Sequence, residues 1–184
     1  MKRILSFAVL ALTLLSVSSC FDIDDPYNPG ISTNFTASQA VMFDCGAIGS
    51  DGAKDVELFI SNGAIDDSGQ LTSNGCLVVL SLNIPSDSQT LPADKEYTVA
   101  ASGKYLPYSI NLGETLANGR AGTFVAQKSE STGFLIPAYL ATKASCTIKK
   151  YEDGTYNISG VCMCDDLSVG FSYEGKVEKK EIKE

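Results

Sequence analysis

Two alternating runs meet at Asp153-Gly154. Ser145-Cys146-Thr147-Ile148-Lys149-Lys150-Tyr151 leads in, and Thr155-Tyr156-Asn157-Ile158-Ser159-Gly160-Val161-Cys162 leads out. A period of two puts alternate side chains on opposite faces of a strand, and Asp-Gly offers the left-handed residue that a tight hairpin needs. With Gly154 in that position, Tyr151 faces Thr155, Lys150 faces Tyr156, Ile148 faces Ile158 and Cys146 faces Gly160. The apolar side chains then share one face, which a slip of one residue would turn outward. This hairpin commits the chain to antiparallel β-structure.

The rest of the chain, from about Gln39, repeats the pattern in shorter pieces. Ala40–Cys45 reads as a strand, closed by a Gly46–Lys54 loop with a Ser50-Asp51-Gly52 turn. Asp55–Ser61 follows, with Val56, Leu58 and Ile60 alternating against Glu57, Phe59 and Ser61; Asn62–Asn74 is a long polar loop. Cys76–Ile84 is nearly all apolar, as expected of a central strand covered on both faces. Glu96–Ala101, a weakly alternating Lys104–Leu112, Ala121–Lys128 and Gly133–Tyr139 lead to the hairpin. After it, Leu167, Val169, Phe171 and Tyr173 alternate with Ser168, Gly170, Ser172 and Glu174. No segment carries a helical period longer than ten residues. About ten short strands separated by Gly, Asp, Asn and Pro clusters predict an all-β domain, an antiparallel β-sandwich or a flattened β-barrel.

The N-terminal segment carries a different signal. Lys2 and Arg3 precede an apolar run, Ile4–Val17, too short for the roughly 20 residues of a spanning helix. Val17-Ser18-Ser19-Cys20 resembles a bacterial lipobox, in which small residues enter the peptidase and the Cys thiol takes the diacylglycerol. On that reading residues 1–19 are a lipoprotein signal peptide and Cys20 is the lipidated N-terminus, palmitate among its acyl chains. Cleavage at Ser16-Val17-Ser18 by ordinary secretion and retention of the run as an uncut anchor are the competing readings. Asp22, Asp24 and Asp25 form an acidic patch that resembles the export signal of surface lipoproteins of the Bacteroidetes; a plain solvated linker is the alternative. Residues 20–38, with Pro26, Pro29 and Gly30, read as a linker that cannot be helical. A single domain then occupies residues 39–178, and 179–184 is a charged tail.

Composition narrows the chemistry. Of 14 basic residues, Lys2 and Arg3 fall in the leader, leaving 12 against 22 acidic ones and a formal charge of −10 on residues 20–184. Such a chain repels nucleic acid. It contains no His, which excludes Ser-His-Asp and Cys-His catalysis and His-ligated metals. It also lacks Trp, a common sugar-stacking residue, although Tyr can substitute.

Five cysteines remain after Cys20: Cys45, Cys76, Cys146, Cys162 and Cys164. In an oxidising compartment disulfides can form, and an odd number leaves at least one thiol over. Cys45–Cys76 and Cys146–Cys162 are the disulfide candidates. In the hairpin register Cys162 is a diagonal neighbour of Cys146. Cys162-x-Cys164 with Cys146 nearby could bind a soft metal or act in redox exchange; buried small side chains are the plainer reading.

Among carboxylates, Asp51, Asp55 and Glu57 cluster at a loop–strand junction. Asp66-Asp67 and Asp165-Asp166 sit in turns, and none matches a calcium loop. Tyr97, Tyr105, Tyr108, Tyr139, Tyr151, Tyr156 and Tyr173 either line a ligand face or cap the core. No metal site and no cofactor are expected.

The order of signals resembles small Bacteroidetes surface lipoproteins of uncharacterised function. Met42-Phe43-Asp44-Cys45-Gly46 is an aromatic strand ending in Gly. Leu91-Pro92-Ala93-Asp94-Lys95-Glu96-Tyr97-Thr98 is a turn followed by a strand. Gly154-Thr155-Tyr156-Asn157-Ile158 and Phe171-Ser172-Tyr173-Glu174-Gly175 complete the set. The cysteines depart from that pattern. The resemblance implies an all-β domain with no known activity. Together with the leader it leads to the expectation of a non-enzymatic lipoprotein in the outer membrane, facing the cell exterior. Such a protein would hold to the membrane through its lipid and bind an extracellular glycan or protein. The alternatives are an accessory subunit of an envelope complex, a carboxylate-based hydrolase or a thiol redox protein.

Overall fold

The computed structural model describes residues 34–180, apart from residues 50, 51, 68, 102, 103, 117, 118, 129–134 and 166. Cys20, Asp22, Asp24, Asp25 and Asp51 therefore lie outside the described residues. Fourteen strands and no helix occupy them. The first five are β1 (Asn34–Thr36), β2 (Gln39–Ile48), β3 (Ala53–Ser61), β4 (Gly75–Pro85) and β5 (Lys95–Val99). Next come β6 (Ser109–Asn111), β7 (Glu114–Leu116), β8 (Gly119–Ala121), β9 (Phe124–Lys128) and β10 (Leu135–Leu140). The chain ends in β11 (Lys143–Lys150), β12 (Tyr156–Cys164), β13 (Leu167–Gly175) and β14 (Val177–Lys180).

Ten of these strands follow one another in the order β1-β13-β12-β11-β5-β6-β4-β3-β2-β14. They form one curled, mixed sheet, a half-barrel. The hairpin β11–β12 takes the expected register, with Ile148 opposite Ile158, Lys150 opposite Tyr156 and Cys146 opposite Gly160. Gly154 adopts φ +83°, and the Tyr151 amide donates to the Thr155 carbonyl at 2.8 Å.

The expected all-antiparallel pairing fails at three places. β1 runs parallel to β13, β14 to β2, and β5 to β6. The first two have one cause. β1 runs almost directly into β2 and β13 into β14, so the first and last described segments lie side by side and point the same way. Asn34 therefore lies within the sheet although the linker was expected to reach residue 38, and pairing at the other end extends to Lys180.

The β5–β6 exception follows from the loop between them. Lys104–Leu112 was expected to be a weak strand, but only Ser109–Asn111 join the sheet. Tyr108 breaks the extended run with φ +67°. Its ring is held edge-on to Tyr97 at 5.9 Å, with the Lys95 ammonium 5.3 Å from its centroid.

β4 is the axis of the core, buried along nearly its whole length as its apolar run predicts. Val78, Leu80, Leu82 and Ile84 point into the main core with Leu58, Ile60, Tyr97, Ile110, Ile148, Ile158 and Val169. On the outer face Leu77 and Val79 join Val41, Phe43, Phe59 and Leu71 in a second cluster, covered by Ile65 and Phe124.

One edge of β4 is shared. Gly75–Val79 pair with β9 and Ser81–Asn83 with β6. Between those partners the chain leaves the wall as the short hairpin β7–β8. Its base is pinched where the Thr123 amide and hydroxyl both donate to the Asn111 carbonyl, at 3.1 and 2.8 Å. Gly122 takes φ +78° there, and a Cβ on it would lie 2.0 Å from the Leu112 carbonyl oxygen.

Gly160 is a second position that tolerates no side chain. A Cβ would lie 2.3 Å from the Ser145 carbonyl oxygen and 2.5 Å from the Phe171 ring, which covers this residue from β13. Gly160→Ala is expected to destabilise the protein by about 1–3 kcal/mol through overpacking. Urea denaturation measures this, and an unchanged midpoint would show that Phe171 yields without cost.

Candidate functional site

The outer face of the central strands is apolar at one end and polar at the other. Alternation carries Asp55 and Glu57 on β3, and Ser81 and Asn83 on β4, to that face, because Val56, Leu58, Leu82 and Ile84 take the inner one. Register places Asp55 opposite Asn83 and Glu57 opposite Ser81. On the far side of β4, Asn111 stands opposite Ser81 and Ser109 opposite Asn83.

Hydrogen bonds join these side chains into one network. Ser81 donates its hydroxyl to Asp55 Oδ1 at 2.8 Å, and the Asn111 amide reaches the same oxygen at 3.5 Å. Asn111 also donates to Ser81 Oγ at 2.9 Å and to Asn83 Oδ1 at 3.1 Å. Asn83 returns two bonds, to Asn111 Oδ1 at 2.7 Å and Ser109 Oγ at 2.9 Å, and Ser109 donates to the Leu106 carbonyl at 2.6 Å. Thr123 Oγ1 accepts from the Ser81 amide at 3.2 Å.

Glu57 is the exception. It is 4% exposed, and its Oε2 has no hydrogen-bond partner. A buried carboxylate without a cation or donors takes up a proton instead of paying the desolvation cost. Burial, then the charge of Asp55, raises the Glu57 carboxyl well above its ordinary range. Burial likewise raises Asp55 to about 6, against the opposing hydrogen bonds from Ser81 and Asn111. Asp44 shows the contrast. Burial pulls it upward, but the Lys54 hydrogen bond at 2.7 Å, the Gly46 amide and the Lys179 charge leave it lowered.

Neither expected disulfide is formed. Cys45 lies at the bulge where β2 meets Asp55 and Val56 of β3, whereas Cys76 lies beyond the Ser61–Leu77 pair at the opposite end of β3. About six residues of strand separate them, roughly 20 Å, against the roughly 7 Å that a disulfide can span. Cys146 and Cys162 share the inner face, but Cys146 is opposite Gly160 and Cys162 opposite Ala144. Such diagonal neighbours stand about 7–8 Å apart, and both remain thiols. Burial raises all the hairpin thiols, Cys162 to about 12 and Cys164 to about 11. Burial, with the neighbouring carboxyls of Glu57 and Asp55, raises Cys45 as well. None of these thiols has the lowered pKa that marks an activated nucleophile.

Four of the remaining candidates, Asp66, Tyr97, Tyr156 and Tyr173, have structural work. Asp66 accepts the Gln70 amide at 2.9 Å and closes its turn. Tyr97, Tyr156 and Tyr173 donate to the carbonyls of Pro92, Leu91 and Lys176, so these rings cap the core. Among the described residues no three Cys, Asp or Glu side chains converge where a metal could sit. One further arrangement lies on the surface. Thr147, Ser159, Ser172 and Thr36 form an exposed row of hydroxyls across four neighbouring strands.

Asp55 and Glu57 stand out in the sequence but their partners do not, because these are spread over two further strands, β4 and β6, and Thr123 between β8 and β9. The available signal was Ser81 and Asn83, polar at a spacing of two inside an otherwise apolar run. No family model matches the chain, and no curated protein or solved structure matches it.

Two expectations follow from these environments. Because folding raises both carboxyl pKa values, the native state holds protons that the unfolded chain releases above about pH 4. Stability should therefore fall between about pH 4 and pH 6, by roughly 1.4 kcal/mol per pH unit for each excess proton, and continue to fall while Glu57 holds its own. Glu57→Gln should flatten that slope, as read by urea unfolding at a series of pH values; an equal slope in the variant would remove Glu57 as the cause. The second expectation concerns the thiols. Cys146, Cys162 and Cys164 should resist a thiol reagent in the native protein and react completely once it is denatured; mass mapping that recovers a Cys146–Cys162 bridge would contradict this.

Proposed function

We propose that this chain is a surface-exposed outer-membrane lipoprotein whose β-domain binds an extracellular ligand without catalysing a reaction. The observation that carries the reading is the leader: a basic end, an apolar run too short to span a membrane, and Val17-Ser18-Ser19-Cys20. Diacylglycerol on the Cys20 thiol and a further acyl chain would hold the domain firmly, since each buried methylene contributes about 0.8 kcal/mol and two chains suffice. Asp22, Asp24 and Asp25 would direct it to the outer face, in keeping with the resemblance to Bacteroidetes surface lipoproteins.

In this reading the parallel pairs β1–β13 and β2–β14 close the curled sheet into a flattened barrel. The tether from Cys20 enters at that seam and can reach at most about 50 Å. The packed inner face leaves recognition to the outside. We assign it to the exposed row Thr147, Ser159, Ser172 and Thr36, whose strand-spaced hydroxyls suit the hydroxyls of a glycan. The absence of His supports a non-catalytic role.

Growth with labelled palmitate should label the wild-type protein and not Cys20→Ser. Replacing Asp22, Asp24 and Asp25 by Ala should protect the domain from protease added to whole cells. Unlabelled protein released to the medium would overturn the anchor, and unchanged protease access would overturn the role of the three aspartates. Alanine at Thr147, Ser159 and Ser172 should abolish retention on a glycan array. Retention that survives these changes would move the binding site elsewhere, and crosslinking to envelope proteins without any glycan retained would favour an accessory subunit.

A further inference from the structure

The sheet has a narrow joint. On one side stand β1, β13, β12, β11 and β5, and on the other β4, β3, β2 and β14. β6 alone bridges them along this path. It pairs with β4 through three residues and with β5 through two, against nine pairs between β3 and β4. The polar network lies across this joint. Ser109 and Asn111 are two of the three residues of β6, and both are tied by side chain to Asn83 of β4. Asn111 is tied onward to Ser81 and Asp55. Beside this stitching sits Glu57, buried, with one oxygen unpartnered and Ser81 directly opposite.

The charged surroundings of the pair are one-sided. From β2, Cys45 neighbours it and the charge of Asp44 reaches Asp55, but Asp44 is already occupied by Lys54 at 2.7 Å and Lys179 at 3.7 Å. From β14, Lys180 stands in line with Phe43 and Glu57, but its ammonium is drawn to Asp67 at 3.0 Å and Glu178 at 4.0 Å. β4, β6 and Thr123 contribute only neutral groups. Among the described residues no cation bonds to Asp55 or Glu57, so the first proton lost leaves one buried negative charge and the second leaves two side by side.

We propose that Asp55 and Glu57 form a proton-held latch on the β4–β6 joint, closed while the pair keeps a proton and opened when the last one leaves. With two charges the pair repels itself and draws water into the network, which competes for the Asn83, Ser109 and Asn111 bonds. β6 then separates from β4 before the long ladders of β3–β4 and β11–β12 yield. The consequence is local: alkaline conditions loosen one place in the wall while the rest of the domain stays folded.

Native-state hydrogen exchange resolves this, with rates corrected for the intrinsic effect of pH. The amides of residues 108–111 should lose protection as pH rises, about tenfold per unit for a single linked proton once the last carboxyl ionises. Ile158 in β12 should keep its protection over the same range. In Glu57→Gln, residues 108–111 should stay protected, and Asp55→Asn provides the second variant should the first fold poorly. Wild-type protection at β6 that does not depend on pH would overturn the latch. So would an equal loss in both variants, or a loss shared by Ile158.

Discussion

Hydrogen bonds among Asp55, Ser81, Asn83, Ser109 and Asn111 hold the sheet together where the three-residue strand β6 meets β4. A net hydrogen bond contributes about 1 kcal/mol, whereas a buried polar group left without its partner costs about 1–3 kcal/mol. A joint of three ladder residues backed by such a network is therefore as strong as its side chains are satisfied. Asn111 shows the dependence most plainly, since the two N–H groups of its side chain serve Ser81 and Asn83 and lie 3.5 Å from Asp55, while its backbone carbonyl accepts from Thr123. The same group of residues contains the weak point, a buried carboxyl with an empty oxygen. Strength and sensitivity share one site.

Around that joint the remaining architecture follows from covering β4 on both faces. Its inner side chains anchor the main core, and its outer ones anchor the smaller cluster under the Ile65–Leu71 bridge. A strand so placed needs long partners, which β3 supplies along its whole length and β6 and β9 supply in two pieces. The interruption between those pieces is what exposes Ser81 to a side-chain solution. Its amide meets the Thr123 hydroxyl where a continuous strand would have offered a carbonyl. At the other margin, the parallel strands β2 and β14 are fastened by ladder pairs and by the Lys179–Asp44 contact.

Much of the fold is legible in the sequence because local chemistry decides it. Asp153-Gly154 sets the turn, alternation sets the face, and together they fix Ile148 against Ile158. The continuous apolar run marks β4 as a strand covered on both sides. What cannot be read locally is pairing between distant segments. Nothing near Asn34 or Val177 announces that they belong to one seam, and the short pieces β6 and β9 do not announce that they share an edge. The cysteines follow the same rule: whether Cys45 meets Cys76 depends on long-range register, and the structure puts them at opposite ends of β3. The candidate site was half visible. Asp55 and Glu57 stand out as paired acids, but their environment is assembled by β4, β6 and Thr123. The basic, apolar and small residues before Cys20 are the opposite case, since the lipobox resemblance they carry lies in their order and needs no tertiary contact.

The stitching of the β4–β6 joint is the claim on which the rest depends, and a double-mutant cycle between Asn83 and Asn111 tests it most directly. Asn83→Ala, Asn111→Ala and the double variant, compared by urea unfolding at neutral pH, should show a coupling energy of about 1–3 kcal/mol. Effects that add within about 0.5 kcal/mol would contradict the account, because they would mean that the two amides do not act on each other across the joint.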